Sequence, residues 1–252
     1  MTIARVAIIG LGLLGGSIGL AAKARAPEIA TRGWDRDPSV RERAAARGLV
    51  GEVCERAEDA VATADLVILC VPVGAMGDAA KAIAPGLAPH AIVSDVGSSK
   101  AAVAEALAAA LPGATIIPAH PVAGTEQSGP EAGFATLFAG RWCIITPPEG
   151  ADPAAVEALS DFWTALGSKV ELMDAAHHDL VLARGQGARQ PLGHRNLGRR
   201  RAVADYPRAG CVEYRQPVEG PLGPHLLNDA DRRVGDHDEA EQAVLPAAGQ
   251  ED

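Results

Sequence analysis

A short apolar run that leads straight into closely spaced glycines constrains the fold of this chain more than any other feature. Residues 6–9 read VAII, and a GxGxxG pattern follows at once over residues 10–15. A short run of mostly branched apolar side chains predicts a strand buried on both faces, and the glycines predict a tight turn into a helix over residues 17–25. The loop consists of Gly10, Leu11, Gly12, Leu13, Leu14 and Gly15.

Each glycine of this loop meets a separate requirement of a dinucleotide-binding turn. Gly10 permits the sharp turn, Gly12 lets a pyrophosphate approach the backbone, and Gly15 lets the helix pack closely on the strand. The anion is expected to lie against the free N–H groups and the positive dipole end of the helix. A GxGxxG pattern alone is weak, but here a strand precedes it and a helical stretch follows it. The loop therefore predicts a dinucleotide cofactor.

An acidic residue and a basic residue stand at the end of the second strand-like stretch. Asp35 follows the glycine loop by about 20 residues, the spacing at which a carboxylate holds the ribose 2′-OH of NAD. Arg36 comes next, and an arginine at this point can meet the 2′-phosphate of NADP instead. The sequence favours NAD as the cofactor and leaves NADP open.

Strand-like and helical stretches then alternate along the chain. Strands are predicted over residues 30–35, 65–72, 91–95 and 114–118, with helices between them. This order predicts an α/β fold with a Rossmann-like doubly wound parallel sheet, in an NAD(P)-binding domain of residues 1–173. Ligands of such sheets bind at the carboxyl ends of the strands. One crevice is therefore predicted to be lined by the glycine loop, Pro72, Ser98 and His120, and Val71 and Pro72 are expected to contact the cofactor.

The residues with the most reactive side chains follow the last two strands of this predicted sheet. The strand 114–118 is expected to deliver His120, whose neutral imidazole can take a proton from a substrate hydroxyl while hydride leaves the same carbon. Ser98 can hydrogen-bond that hydroxyl or orient His120. Lys100 can attract a carboxylate or face solvent in the first turn of a helix. Of the pair His177 and His178, one is expected to face the cleft and the other solvent, and no metal site is predicted.

Five stretches of the sequence together resemble the prephenate/arogenate dehydrogenase family. The stretch HPVAGTEQSG over residues 120–129 is far more specific than the glycine loop. The resemblance covers residues 1–183. Its matching stretches are residues 10–17 (GLGLLGGS), 33–35 (GWD), 95–100 (DVGSSK), 120–129 and 178–179 (HD).

The resemblance implies a specific reaction and roles for the matching residues. The family oxidises the ring C4 hydroxyl of prephenate or arogenate, passes hydride to NAD(P)⁺ and loses CO₂ as the ring becomes aromatic. By motif, His120 resembles the catalytic base and Ser98 its hydrogen-bonding partner, whereas Thr125 and Glu126 resemble residues of the substrate pocket. The family is homodimeric through a C-terminal helical domain, so residues 174–183 are expected to begin an interdomain helix.

The chain changes character at about residue 184. Residues 184–252 contain no Ile, Phe, Trp, Met or Lys, but 10 Arg, 9 Gly and 6 Pro. This composition predicts a disordered tail. The tail departs from the family, which continues with a Ser-His-Leu-Pro-His segment and the helical dimerisation domain. One hypothesis for the departure is a frameshift near residue 184, because codons for residues 189–192 can encode Val-Ser-His-Leu when read one base later.

Composition and charge argue against several classes of function and cellular location. A net charge of −9 argues against general nucleic-acid binding, and no apolar run is long enough to span a membrane. The N-terminus lacks the pattern of a signal peptide. The four cysteines lack metal-binding or disulfide spacing, which suggests buried thiols in a reducing cytoplasm. The four cysteines are Cys54, Cys70, Cys143 and Cys211.

Two other functions remain open from the sequence. A β-hydroxyacid dehydrogenase can carry the same glycine loop, although it needs a catalytic lysine on a later helix and the tail contains no lysine. A catalytically impaired NAD-binding remnant, or a module that senses NAD, is the alternative of a different class. Small-molecule substrates, rather than nucleic acids or membranes, are expected as partners in all of these cases.

Overall fold

The computed structural model describes residues 2–187 of the chain, and side chains as far as residue 183. The strands are β1 (Arg5–Ile9), β2 (Ala30–Trp34), β3 (Glu52–Val53), β4 (Leu66–Leu69), β5 (Ile92–Asp95), β6 (Thr115–Ile116), β7 (Ala119–Pro121), β8 (Trp142–Ile145) and β9 (Lys169–Leu172). The α-helices are α1 (Leu13–Arg25), α2 (Pro38–Ala46), α3 (Ala57–Val61), α4 (Met76–Ile83), α5 (Lys100–Ala110), α6 (Pro153–Ala165) and α7 (Ala175–Gly187). The predicted tail lies outside the described residues, apart from the end of α7, which continues past residue 183.

Six parallel strands form the main sheet, in the order β3-β2-β1-β4-β5-β6. Successive residues of β1 point to opposite faces of the sheet. Val6 and Ile8 pack into the apolar cluster on one face, and Ala7 and Ile9 pack into the cluster on the other. All four are buried, as the uninterrupted apolar run predicts. The prediction of a Rossmann-like doubly wound parallel sheet is confirmed.

A second sheet follows the first and carries His120. Strands β7, β8 and β9 form it, with β7 antiparallel to β8 and β8 parallel to β9. The expectation that strand 114–118 delivers His120 is therefore wrong. The strand β6 ends at Ile116, and His120 lies in the middle of β7, paired in register with Ile144. Strands of two and three residues leave no periodic pattern, so the sequence showed one strand where two short ones exist.

The second sheet shares its core with one face of the first. Helix α6 packs its buried face here, where Trp163 is fully buried in edge-to-face contact with Phe138 and Phe162. The buried Ala119 and Cys143 belong to the same apolar cluster as Val6 and Ile8 of β1. This shared core fixes β7 against the main sheet. No helix of the described residues is long and apolar enough to cross a membrane.

Candidate active site

The glycine loop makes a turn that other residues could not make. Gly10 has a φ of 100°, a conformation that side chains with a Cβ rarely adopt, and a Cβ there would lie 2.5 Å from the carbonyl oxygen of Cys70. A Cβ on Gly15 would lie 1.9 Å from the carbonyl oxygen of Gly10. A Cβ on Gly12, in contrast, would meet no atom of the protein within 4 Å. The loop is closed on its inner side and open at Gly12.

The N-terminus of α1 is available to a ligand at this open side. Helix α1 begins at Leu13, earlier than the sequence predicted, with Gly12 as its N-cap and no side chain that caps it. The first N–H groups of a helix have no partner within the helix, and they carry its positive dipole end. Leu13 and Leu14 therefore offer N–H groups where a pyrophosphate is expected.

Asp35 lies beside the glycine loop. Its Oδ2 accepts a hydrogen bond of 2.9 Å from the N–H of Leu11, and its Oδ1 accepts one of 3.0 Å from the N–H of Asp37. A carboxylate oxygen can accept more than one hydrogen bond, so Asp35 retains acceptor capacity for a ribose hydroxyl. Arg36 is exposed. Asp35, which the sequence predicted from its spacing, therefore also stabilises the glycine loop through its hydrogen bond with Leu11.

Residues at the ends of neighbouring strands contact one another along one edge of the main sheet. A Cβ added to Gly10 would lie 3.1 Å from Cγ1 of Val71, and one added to Gly97 would lie 3.2 Å from Cγ2 of Val73. Pro72 is exposed and precedes a short 3₁₀ turn. The loops after β1, β4 and β5 therefore follow one another along this edge, as the predicted crevice requires.

A buried ion pair joins this edge to the strand of His120. Lys100 and Asp95 are completely buried, with Nζ of Lys100 2.6 Å from Oδ2 of Asp95. The same Nζ donates to the carbonyl oxygen of Ala119 at 2.6 Å, and the N–H of Ala119 donates to Oδ1 of Asp95 at 3.3 Å. Both alternatives that the sequence left for Lys100, attraction of a substrate carboxylate or exposure to solvent, are wrong. Lys100 instead secures the start of β7 next to His120.

His120 begins a chain of three side chains that ends on helix α7. Its Nδ1 lies 2.9 Å from Nε2 of His178, and Nδ1 of His178 lies 2.8 Å from Oδ1 of Asp179. His178 is completely buried, whereas His177 is exposed. His177 is therefore the histidine of the pair that faces solvent, and His178 is the one that faces His120. Among the described residues, Nε2 of His120 has no hydrogen-bond partner.

The surroundings of His120 favour its neutral form. Burial first, then the positive charge of Lys100, then the neighbouring His178 ring, lower the pKa of His120 to about 4, against the opposing effect of Asp179. An imidazole with this pKa is unprotonated at neutral pH and can accept a proton.

The other residues predicted for the site lie on the loops around His120. Ser98 is exposed, and the side chain that contacts His120 within the described part of the chain is His178. Thr125 is half-buried and accepts a hydrogen bond from the N–H of Gln127, whereas Glu126 is exposed. The structure therefore does not place Ser98 as the partner that orients His120.

The loop over residues 121–140 is fastened to the glycine-loop helix and to α2. Arg43 of α2 donates to the side chain of Glu131, and Arg47, just after α2, donates to the carbonyl oxygen of Glu131. The N–H of Phe134 donates to Oγ of Ser17 in α1 at 3.1 Å. These contacts were not predicted from the sequence. They hold the segment that follows His120 against the helix of the glycine loop.

A family model described as the nucleotide-binding domain of prephenate dehydrogenase matches residues 18–172. The cyclohexadienyl dehydrogenase of Zymomonas mobilis is 46% identical over 178 residues, which cover 71% of this chain and 61% of that protein. The prephenate dehydrogenase of Lactococcus lactis is 32% identical over 180 residues, which cover 70% of this chain and 48% of that protein. The chain thus spans less than two thirds of the length of these curated relatives.

Two solved structures share the fold. A Synechocystis arogenate dehydrogenase matches with a TM-score of 0.66 and 32% identity, over 71% of this chain and 63% of that one. The prephenate dehydrogenase from Aquifex aeolicus, in complex with hydroxyphenyl propionate and NAD⁺, matches with a TM-score of 0.66 and 28% identity, over 75% of this chain and 68% of that one.

Proposed function

The chain belongs to the prephenate dehydrogenase family, and on that premise we propose that it carries out the NAD(P)-dependent oxidation of prephenate or arogenate. The observation that carries the proposal is the pairing of an open glycine loop with His120, whose Nε2 has no partner within the described residues. One group can hold a dinucleotide and the other can accept a proton. Oxidation of an alcohol by hydride transfer requires both.

The residues of the glycine loop fit a dinucleotide. The free N–H groups of Leu13 and Leu14 and the open space at Gly12 suit a pyrophosphate. Asp35 is proposed to hold the ribose, and Val71 and Pro72 to line the cofactor site beside the glycine loop. Bound NAD(P)⁺ would supply the hydride acceptor. The proposal names NAD as the cofactor, with NADP as the alternative.

His120 is the proposed catalytic base. Its Nε2 accepts the proton of the ring C4 hydroxyl, so that the electron pair of the C–H bond can leave as hydride. Ser98 is proposed to hydrogen-bond the same hydroxyl, and Thr125 and Glu126 to line the substrate pocket. Decarboxylation needs no separate acid, because formation of the aromatic ring drives the loss of CO₂.

The proposal divides the chain by role. Residues 1–173 are proposed to form the cofactor-binding domain, and residues 174–183 to begin the interdomain helix. Of this helix, His178 and Asp179 remain in contact with the cofactor-binding domain. The proposed dimer of the family would involve residues beyond the described part of the chain.

The test is made on the full chain. We expect NAD⁺ to bind in a calorimetric titration, and NADH to form when prephenate or arogenate is added, with CO₂ and 4-hydroxyphenylpyruvate or tyrosine as products. Binding of NAD⁺ without turnover of either substrate would contradict the catalytic proposal and favour a nucleotide-binding module. Turnover of 3-hydroxy acids in place of prephenate would favour a β-hydroxyacid dehydrogenase.

Two alanine substitutions in the glycine loop should separate ligand binding from folding. Gly12→Ala places a methyl group in open space, so we expect unchanged stability but a rise of about tenfold or more in the Kd for NAD⁺, since the pyrophosphate can no longer approach the backbone. Gly15→Ala forces a Cβ onto the carbonyl oxygen of Gly10 and should cost about 1–3 kcal/mol of stability. Calorimetry and urea denaturation measure the two effects. Equal loss of stability in both variants would contradict the assignment of the open side.

Asp35→Asn should shift the cofactor preference from NAD towards NADP. The carboxylate repels a 2′-phosphate, whereas an asparagine of the same size keeps an acceptor for the N–H of Leu11. We expect the ratio of the Kd values for NADP⁺ and NAD⁺ to fall by about tenfold. Asp37→Asn is the matched control, because Asp37 only caps α2 through the N–H of Ser39. An unchanged ratio in Asp35→Asn would exclude Asp35 from cofactor selection.

A further inference from the structure

We propose that His178 and Asp179 are positioning residues that fix His120 in the tautomer with its proton on Nδ1 and its lone pair on Nε2. The proposal deepens the function proposed above and rests on it for the role of His120 as base. It concerns the contact chain from His120 through His178 to Asp179, which leads away from the glycine loop onto helix α7.

The direction of the hydrogen bonds follows from the protonation state of Asp179, the last of the three side chains. Burial tends to raise the pKa of Asp179, but hydrogen bonds from the N–H of Lys100, from His178 and from the N–H of Ala101 outweigh it and lower that pKa. Asp179 is therefore a carboxylate at neutral pH and can only accept hydrogen bonds. Nδ1 of His178, 2.8 Å away, must donate to it.

The donor and acceptor nitrogens of His178 in turn determine which nitrogen of His120 carries the proton. A neutral histidine has one donor nitrogen and one acceptor nitrogen. In the neutral His178 that the proposal requires, Nδ1 is the donor and Nε2 is the acceptor, so Nδ1 of His120 at 2.9 Å carries a proton. Nε2 of His120 is left with a lone pair. This is the tautomer that a base facing the substrate requires.

The structure holds this chain of contacts rigidly. His178 is completely buried, and its ring meets that of His120 edge-to-face, with centroids 5.1 Å apart and an interplanar angle of 72°. Asp179 also accepts from the N–H of Lys100 at 2.9 Å and from the N–H of Ala101 at 3.1 Å, so it caps helix α5 as well. A single carboxylate thus anchors α7 on the first turn of α5 and orients His178.

The arrangement also balances the charge that appears during oxidation. When Nε2 of His120 takes the hydroxyl proton, the ring becomes an imidazolium with protons on both nitrogens. Its Nδ1–H already points at Nε2 of His178, which in turn donates to the carboxylate of Asp179. The positive charge is therefore formed at the end of a hydrogen-bond chain that terminates in a negative charge.

The first experiment reads the tautomers directly and needs no turnover. In the full chain with ¹⁵N-labelled histidine rings at pH 7.5, we expect both His120 and His178 to carry the ring proton on Nδ1, as shown by their ¹⁵N shifts and by the couplings of Nε2. Substitution of each histidine in turn assigns the signals. A proton on Nε2 of His120, or a doubly protonated His178, would overturn the proposal.

The second experiment compares two adjacent histidines. His178→Asn removes the acceptor of the His120 Nδ1–H, so His120 should change to the Nε2–H tautomer and kcat should fall about 10- to 100-fold, with little change in KM. His177→Asn, on the exposed side of the same helix turn, should leave the tautomer of His120 and kcat unchanged. Equal effects of the two variants would contradict a positioning role for His178.

Asp179→Asn provides an independent variant, since an asparagine keeps an acceptor for the cap of α5 but loses the negative charge. We expect His178 to lose its preference for Nδ1–H and kcat to fall about tenfold. Asp152→Asn, which alters the cap of α6 far from the site, controls for the loss of a charged cap. If the Asp179→Asn protein keeps wild-type tautomers at both rings, the carboxylate does not set them.

The two proposals fail in different ways. Absence of NADH formation together with Nδ1 protons on both histidines would refute the proposed enzyme function and leave the tautomer assignment standing. Normal turnover with a proton on Nε2 of His120 would refute the tautomer assignment and leave the enzyme function standing.

Discussion

Replacement of Lys100 by methionine is expected to lower the free energy of unfolding by about 3–5 kcal/mol, the range found when one partner of a buried ion pair is removed. Asp95 is completely buried and would keep a negative charge without its 2.6 Å partner, or would have to take up a proton. Burial already outweighs the attraction of Lys100 and raises the pKa of Asp95. The carbonyl oxygen of Ala119 would also lose its donor. Urea denaturation measures the change.

Two controls isolate the buried pair. Lys81→Met removes an exposed lysine 3.8 Å from Asp78 and should change stability by less than about 1 kcal/mol. The double variant Asp95→Asn with Lys100→Met removes both charges and should recover part of the loss, since the charged pair is costly to bury. A loss below about 1 kcal/mol in Lys100→Met would show that the pair does not hold the edge of the sheet to β7.

The first half of the fold was predictable because its signals are local. The run at residues 6–9 is apolar at every position, and both faces of β1 are buried, so the pattern alone indicates a central parallel strand. Gly10, Gly12 and Gly15 stand where a turn, an open approach and a close packing contact require them. The spacing from the loop to Asp35 then follows from the length of one βαβ unit.

The second half of the site depends on contacts that no local pattern records. Strand β7 has three residues, so its pairing with β8 is set by the tertiary core and not by periodicity. Lys100 follows two serines at the start of a helix, a position where lysine usually faces solvent, and only the buried Asp95 explains its orientation. His178 comes from a helix 58 residues beyond His120. The dipeptide of His178 and Asp179 was noted as a family match, but nothing in the spacing indicated a contact with His120.

His120→Asn is expected to lower kcat for prephenate or arogenate oxidation by about 10²- to 10⁴-fold, the contribution of a positioned general base. NAD⁺ affinity should be unchanged, because His120 lies in β7 and the described contacts of the glycine loop do not include it. Asparagine preserves the size of the site but cannot take a proton at neutral pH. Calorimetry and NADH formation measure the two quantities on the same protein. Equal turnover in wild type and variant would exclude His120 as the base.

The pH dependence of kcat/KM tests the role of His120 as the base independently of the substitution. The base acts in its neutral form, so kcat/KM should stay level as the pH falls through 6.5, the ordinary histidine value, and decline only as the pH approaches about 4, the pKa of His120. The low value has its sources in burial, in Lys100 on α5 and in His178 on α7, while Asp179 on α7 acts in the opposite sense. The Lys100→Met protein lacks the positive charge of Lys100, and its acid limb should therefore move to higher pH. An acid limb at 6.5 in the wild type would mean that the imidazole is solvated as in water, contrary to its buried pairing with His178.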